Sequence, residues 1–242
     1  MNEVRNVLIG FEFNREFSQI CYYDRKAEEP VCIPTKVGTN LYRFPTEIGR
    51  KPNKNEWHFG LEAEYFGKKM GGIYLADLYD RAITEVPKDE PRGEDELPQA
   101  WQLLAFFFRE SLRLTGLKDI VAGVSKIMVT TEKLDVVLVE NLRMALAAVG
   151  FAPEQYTLQD YMESFYYYTY SQRPDFWMRN IALFTFADGY VTYHEMHEEK
   201  AVRPAPVTVV TASSCKLSDD PERRDEQFLE YAAKHMKEDI YS

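Results

Sequence analysis

A strand and tight turn occur twice in this chain, and they decide its fold. The first copy reads Val7-Leu-Ile-Gly-Phe-Glu-Phe-Asn-Arg-Glu-Phe-Ser-Gln-Ile-Cys-Tyr-Tyr23, and the second reads Asn180-Ile-Ala-Leu-Phe-Thr-Phe-Ala-Asp-Gly-Tyr-Val-Thr-Tyr-His194. In each copy an apolar run enters a short polar turn, and an alternating run follows that can pair back on the first. The sequence therefore predicts two β-hairpins whose turns can expose backbone N–H groups.

Between and after the hairpins, the pattern predicts an ordered series of strands and helices. A third strand at 30–35 completes an antiparallel meander. Apolar residues at helical spacing, each run closed by glycine, predict helices at 98–115 and 132–149. Strand, helix, strand in succession indicates right-handed crossovers between parallel strands. The remaining predicted elements are strands at 120–131 and 156–158, a helix at 160–172, a strand at 202–211 and a closing helix at 225–240.

Composition restricts the class of protein. With 242 residues, 45% of them hydrophobic, the chain can build a packed core. A net charge of -10 argues against nucleic acid as a partner, because a phosphate backbone needs a basic face. A charged N-terminus and the lack of a long apolar stretch predict a cytoplasmic protein without a membrane span.

The three cysteines, Cys21, Cys32 and Cys215, lack metal-ligand spacing. They suit reduced thiols in a reducing compartment. Cys21 and Cys32 can face each other across neighbouring strands, so a disulfide between them is the alternative.

The order of these elements resembles the actin, Hsp70 and sugar-kinase superfamily, whose two lobes each begin with a phosphate loop. The resemblance implies an α/β fold with a ribonuclease-H-like mixed sheet of the actin-like ATPase type and flanking helices. It implies a first lobe at 1–178, with an insertion near 67–98, and the beginning of a second lobe at 179–242. The second lobe would be incomplete, as in part of a longer, poorly characterised bacterial member.

The first phosphate loop of that superfamily runs Asp-x-Gly-Thr-Thr-x-Ser, and the matching stretch here runs from Glu12 to Ser18. An acidic residue and the serine persist. Arg15 is bulky, and Glu16 places a carboxylate where phosphate oxygens would sit. The resemblance leaves Glu12, Asn14 and Ser18 as candidate ligand-binding residues, with Glu12 holding a hydrated magnesium through water. For Glu12 and Asn14 the alternative is solvation and local hydrogen bonding within a hairpin turn.

The second loop, Asp-x-Gly-Gly-Gly-Thr in the superfamily, corresponds to 185–190 here. Its candidates are Thr185, Asp188 and Gly189, although Asp188-Gly189 is also a standard hairpin signal. For the acidic residue near the catalytic water the resemblance offers Asp160 or Glu163, and both stay open. The adenosine-contacting motif would lie beyond residue 242, so no cofactor is expected in this chain.

Other conspicuous residues favour structural roles. His194 and His197 are three apart on a predicted strand, where they point to opposite faces and cannot share a metal. No nucleophile partner is visible for the four histidines, the others being His58 and His235. The aromatic runs at 106–108 and 165–170 predict core packing, with a partner surface as the alternative.

The sequence therefore favours an actin/Hsp70-like module with degenerate phosphate loops. It would be a protein-interaction or assembly protein, not an enzyme, with a protein partner or a second copy as its ligand. The alternative is a working ATPase or sugar-kinase-like phosphotransferase that uses ATP and magnesium. In that alternative Glu12 holds the magnesium, and Ser18 and Gly189 contact the phosphates.

Overall fold

The chain forms two compact units, Met1–Tyr161 and Met162–Ser242. The computed structural model describes residues 7–24, 28–36, 38–93, 96–170, 181–187, 189–198 and 207–240. The predicted lobe boundary at 178/179 falls outside these residues and stays a prediction.

The first unit contains nine strands and five α-helices in its described part. The strands are β1 Val7–Phe13, β2 Phe17–Asp24, β3 Glu29–Cys32, β4 Arg43–Pro45, β5 Ile48–Arg50, β6 Trp57–Phe59, β7 Ile73–Leu75, β8 Val124–Thr131 and β9 Tyr156–Asp160. The helices are α1 Gly60–Glu64, α2 Leu78–Thr84, α3 Ala100–Ser111, α4 Ile120–Gly123 and α5 Val136–Val149. A π-helix, Tyr65–Lys69, continues α1, and 3₁₀ turns cover Leu112–Thr115 and Pro153–Gln155.

The main sheet of this unit is mixed, as predicted. Its order is β3-β2-β1-β8-β9, and β4 also pairs with β2. Strands β1, β2 and β3 form the antiparallel meander. Strands β8 and β9 then add in parallel to β1, each reached through helices. A second, antiparallel sheet has the order β6-β5-β7.

One face of the main sheet forms the hydrophobic core. Phe11 and Phe13 alternate on β1 and are fully buried. The ring of Phe11 packs edge-on against Phe108 of α3, with centroids 4.8 Å apart, and Phe13 lies 6.1 Å from Phe107. Aromatic pairs in these orientations add to the free energy gained from burial. Buried leucines of α5 complete this core.

Local signals explain where the two long helices of the first unit begin and end. The Asp135 side chain accepts a hydrogen bond from the Leu138 N–H and starts α5. Gly150, with φ +115°, ends it, and Gly116, with φ +69°, closes the turn after α3. Both predicted helices are confirmed with shorter bounds.

The prediction of a strand at 120–131 is wrong for its first four residues. Residues Ile120–Gly123 form α4, because the Asp119 side chain accepts a hydrogen bond from the Ala122 N–H at 2.9 Å. An aspartate in this position starts a helical turn even in a β-branched sequence. The strand itself, β8, begins at Val124.

The second unit is a three-stranded antiparallel meander with helices. Helix α6, Tyr161–Tyr170, begins at the last residue of the first unit. The strands are β10 Ile181–Ala187, β11 Tyr190–Glu198 and β12 Val207–Lys216, in the order β10-β11-β12, and α7 is Pro221–Ile240. The strand predicted at 202–211 ends too early, because β12 continues to Lys216. None of the helices described in either unit has both the length and the apolar character needed to cross a membrane.

Candidate functional site

The turn between β1 and β2 is closed by its own first residue. Asn14 Oδ1 accepts hydrogen bonds from the backbone N–H groups of Glu16, at 3.0 Å, and Phe17, at 2.9 Å. The Asn14 N–H donates to the Phe17 carbonyl at 3.2 Å. An asparagine side chain that bonds the backbone two and three residues ahead is a common turn device. These three N–H groups, expected to be exposed, are therefore satisfied within the turn.

A tyrosine that the sequence did not suggest fixes the same turn from the side. The Tyr161 hydroxyl donates to Glu12 Oε1 at 2.8 Å and accepts from Asn14 Nδ2 at 3.0 Å. Burial is the largest cause that raises the pKa of Tyr161. The hydrogen bond from Asn14 lowers this pKa, whereas the hydrogen bond to Glu12 and the charge of Glu12 raise it, and the net effect is an increase. The hydroxyl thus keeps the proton that it donates to the carboxylate.

Ser18 lies on the core side of the hairpin. It pairs with Phe13 in the strand register, and its side chain is fully buried. Ser18 Oγ lies 2.9 Å from Thr46 Oγ1, and the Thr46 N–H donates to the Glu16 carbonyl at 3.2 Å. The serine hydroxyl therefore ties the turn to the segment between β4 and β5.

The apex of the turn carries one charge of each sign. Arg15 and Glu16 are both exposed. Arg15 Nη2 lies 3.0 Å from Asp80 Oδ1, and the guanidinium carbon lies 5.8 Å from the centre of the Tyr79 ring. An exposed ion pair of this kind contributes little to stability.

The two candidate catalytic acids occupy different elements. Asp160 is the last residue of β9, and Glu163 lies in the first turn of α6. Across the sheet, Glu12 of β1 is level with Thr130 of β8 and Gln159 of β9. Asp160 is therefore one residue beyond the position on β9 that is level with Glu12. Successive strand residues point to opposite faces, and β1 and β9 are two strand spacings apart, about 10 Å.

Glu12 and Asp160 are thus poorly placed to share one ion. Within the described ranges, no group of three or more His, Cys, Asp or Glu side chains could hold a metal. The Glu12 carboxylate accepts a hydrogen bond from the Tyr161 hydroxyl. The role of Glu12 as a ligand that holds magnesium through water stays a prediction.

The second predicted hairpin is confirmed. Ala187 pairs with Tyr190 across a two-residue turn, and Gly189 has φ +76°, which favours glycine. The Gly189 carbonyl accepts a hydrogen bond from the Leu217 N–H at 2.8 Å. Asp188 lies outside the described residues. Thr185 Oγ1 lies 3.0 Å from His194 Nε2, so its hydroxyl also has a partner within the hairpin.

A cavity of about 410 Å³ lies beside this turn, within the second unit. Phe186, Gly189 and Tyr190 of the hairpin and Arg224 and Phe228 of α7 contribute to its lining. The side chains of Phe186 and Tyr190 are 60% and 44% exposed. Sequence reasoning missed this cavity. The signal was present in the two aromatic residues that flank the turn.

The sequence of most of the chain places it in a family. Residues 29–242 match a family model described as "Family of unknown function (DUF5716) C-terminal". The chain belongs to the DUF5716 family. The matched part of this DUF5716 protein starts at β3, so the turn closed by Asn14 precedes it. No curated protein matches the sequence.

Two histidines of the DUF5716 chain have a hydroxyl partner, contrary to the expectation from sequence: His194, beside Thr185, and His235. Ser213 Oγ lies 2.7 Å from His235 Nε2 and 2.8 Å from the Tyr231 hydroxyl. The Tyr231 hydroxyl also bonds the Ser213 carbonyl, and the His235 ring stacks on Tyr193 with centroids 4.5 Å apart. These contacts anchor α7 on the sheet. Residues 22 apart meet only after the strand and helix have packed, so no local sequence pattern indicates this pair.

Proposed function

We propose that this DUF5716 chain is an actin/Hsp70-like module with degenerate phosphate loops, which works through protein contacts and not through ATP turnover. In this proposal the first unit has the ribonuclease-H-like arrangement, and the second unit begins a related lobe. No resident nucleotide or magnesium takes part.

The strand order supports the choice of superfamily. An antiparallel meander of three strands is followed by two parallel strands, each reached through helices. The second unit also has, after α6, a seven-residue strand, a short turn and an antiparallel return strand. This repetition is what the resemblance leads us to expect at the start of each lobe.

The closed first turn is the observation that carries the proposal. A phosphate loop grips its ligand with free backbone N–H groups and small hydroxyls. Here Asn14 Oδ1 takes the N–H groups of Glu16 and Phe17, and Ser18 is buried against Thr46. A phosphate would have to displace the asparagine and approach the exposed carboxylate of Glu16, which repels it.

Exposed aromatic rings support a role in protein contacts. Phe186 and Tyr190 line the cavity of the second unit beside Arg224. On α6, Phe165 and Tyr168 lie on one side of the helix with ring centroids 6.2 Å apart, and they are 39% and 62% exposed. Aromatic residues and arginine are the residue types enriched in protein interfaces. A second copy of the chain is the first partner to test.

Sedimentation velocity over a range of protein concentrations, with and without Mg·ATP, tests this proposal. We expect reversible association that Mg·ATP does not change. A double variant, Phe186→Ser with Tyr190→Ser, should weaken association. Leu229→Ser is the matched control, since Leu229 is 65% exposed on α7 and does not line the cavity. A wild-type chain that stays monomeric would remove the self-association form of the proposal, and a shift caused by Mg·ATP would support the working ATPase.

A further inference from the structure

Two cysteines lie opposite each other at the edge of the main sheet. Cys21 on β2 and Cys32 on β3 are paired in the antiparallel register, and β3 is the edge strand. Their Sγ atoms are 3.0 Å apart. Both residues carry free thiols, and Cys32 is exposed while Cys21 is half-buried. The position therefore combines proximity with access from solvent.

The backbone at this position matches the geometry of a disulfide. The Ile33 N–H donates to the Ile20 carbonyl at 3.0 Å, which makes that pair a hydrogen-bonded one. Hydrogen-bonded and non-hydrogen-bonded pairs alternate along an antiparallel ladder, so Cys21 and Cys32 form the non-hydrogen-bonded pair beside it. Such pairs have Cα atoms about 4.5 Å apart, within the range that a disulfide spans, about 4.4–6.8 Å. Closing the bond requires little movement of the strands.

We propose that Cys21 and Cys32 form a reversible disulfide site, which low-molecular-weight disulfides such as oxidised glutathione oxidise. This inference is independent of the proposed function. It assigns a covalent modification to the edge of the sheet, where the bond would fix β3 to β2 and remove freedom from the unfolded chain.

The order of the two steps follows from the surroundings of the thiols. Burial and the neighbouring Cys32 raise the pKa of Cys21 to about 12, although a hydrogen bond from Gln19 lowers it. Gln19 Nε2 lies 3.7 Å from Cys21 Sγ and 3.8 Å from Cys32 Sγ. The thiolate is the attacking species in thiol–disulfide exchange. The exposed Cys32 is thus the first to react, and Cys21 is the resolving thiol.

The reaction is balanced in two exchanges. The Cys32 thiolate attacks one sulfur of glutathione disulfide, whose S–S bond breaks, and the departing thiolate takes up the proton that Cys32 lost. The Cys21 thiolate then attacks Cys32 Sγ in the mixed disulfide, and the second glutathione leaves with the proton of Cys21. The protein loses two hydrogens, and the glutathione disulfide is reduced to two thiols.

Mass spectrometry of the whole chain, incubated natively with oxidised glutathione and then alkylated, tests the site. The wild type should lose two hydrogens, yield a Cys21–Cys32 linked peptide and alkylate at Cys215. Cys21→Ser should instead retain one glutathione on Cys32, because the resolving thiol is missing. Cys32→Ser should gain adduct at Cys21 much more slowly. Reduction of the wild type should restore all three free thiols.

Two outcomes would overturn the proposal. One is a wild type that stays reduced, and the other is a wild type that retains glutathione on Cys32 without forming the internal bond. Circular dichroism under reducing conditions checks that each serine variant is folded. If a variant does not fold, the peptide map of the oxidised wild type still decides the question.

Discussion

The Tyr161 hydroxyl donates a hydrogen bond to the carboxylate of Glu12 across 149 positions of sequence. This bond joins the end of β1 to the junction of β9 and α6. The same hydroxyl accepts from Asn14, so the acid at the strand end and the amide that closes the turn share one partner. The carboxyl ends of parallel strands commonly form ligand sites in α/β proteins. In this chain the corresponding polar groups of the first hairpin bond one another.

Removing the Asn14 side chain should destabilise the chain. Asn14→Ala leaves the N–H groups of Glu16 and Phe17 without their acceptor and takes a donor from Tyr161. We expect a loss of about 1–2 kcal/mol in the free energy of unfolding. Urea unfolding measures it as a lower midpoint with an unchanged slope.

Arg15→Ala is the control from the same turn. Its only ion pair among the described residues is exposed, so the change should stay within about 0.5 kcal/mol. Equal effects of the two substitutions would contradict the role given to Asn14.

A buried amide should stabilise the first unit by joining two helices. Asn141 of α5 is fully buried, and its Nδ2 lies 3.0 Å from the Ala82 carbonyl and 2.8 Å from the Glu85 carbonyl, at the end of α2. Asn141→Ala leaves these carbonyls without that donor and opens a cavity, which should cost about 2–3 kcal/mol in thermal or urea unfolding. Arg143→Ala, exposed on the same helix, should change stability by less than about 0.5 kcal/mol.

Close backbone packing around the β6-β5-β7 sheet should make the substitution of Gly72 destabilising. A Cβ on Gly72 would overlap the Arg50 carbonyl oxygen, whereas a Cβ on Gly93 would meet no atom within 4 Å. Gly72→Ala should therefore lower the free energy of unfolding by about 1–3 kcal/mol through overpacking. Gly93→Ala should leave it nearly unchanged. A tolerated alanine at Gly72 would mean that β5 and the segment before β7 lie further apart.

The raised pKa of Cys21 gives a dependence on pH. Burial, followed by Cys32, raises this pKa from its ordinary value of 9.0 to about 12, so folding favours the neutral thiol. The resulting stabilisation is fully present below pH 9.0 and is lost as pH rises towards 12. Alkylation of Cys21 in the reduced, folded chain should keep accelerating above pH 9.0, followed by peptide mass spectrometry. In urea the rate of alkylation of Cys21 should level off near pH 9.0, the ordinary pKa of the thiol. If the rate in the folded chain also levels off near that pH, Cys21 is not buried enough to raise its pKa.

Local patterns in the sequence predicted much of the fold. The apolar spacing that ends at Gly116 and Gly150 gave α3 and α5, because caps and buried faces are encoded within a few residues of each other. The hairpins and the pairing of Cys21 with Cys32 followed from alternation and turn length. The finer assignment to the actin-like superfamily stays a proposal.

Contacts made over long sequence distances could not be predicted. The continuation of β12 past Thr211 contains polar residues typical of a loop, yet Ser214 pairs with Thr192 and their hydroxyl oxygens lie 3.0 Å apart. Tyr161 and Ser213 likewise find their partners only after distant elements have packed. The sequence offered Asn14 both as a possible ligand and as a turn residue used for local hydrogen bonding, but the loop pattern did not indicate which N–H groups its side chain occupies.

The most direct test of the closed turn is a titration of the isotope-labelled chain with Mg·ATP, followed through the backbone amide resonances of Glu16 and Phe17. If the turn is closed as described, both resonances, and their protection from hydrogen exchange, stay unchanged at millimolar nucleotide. A saturable, magnesium-dependent shift of these two amides, lost in Glu12→Gln, would contradict it and establish the first hairpin as a working phosphate loop.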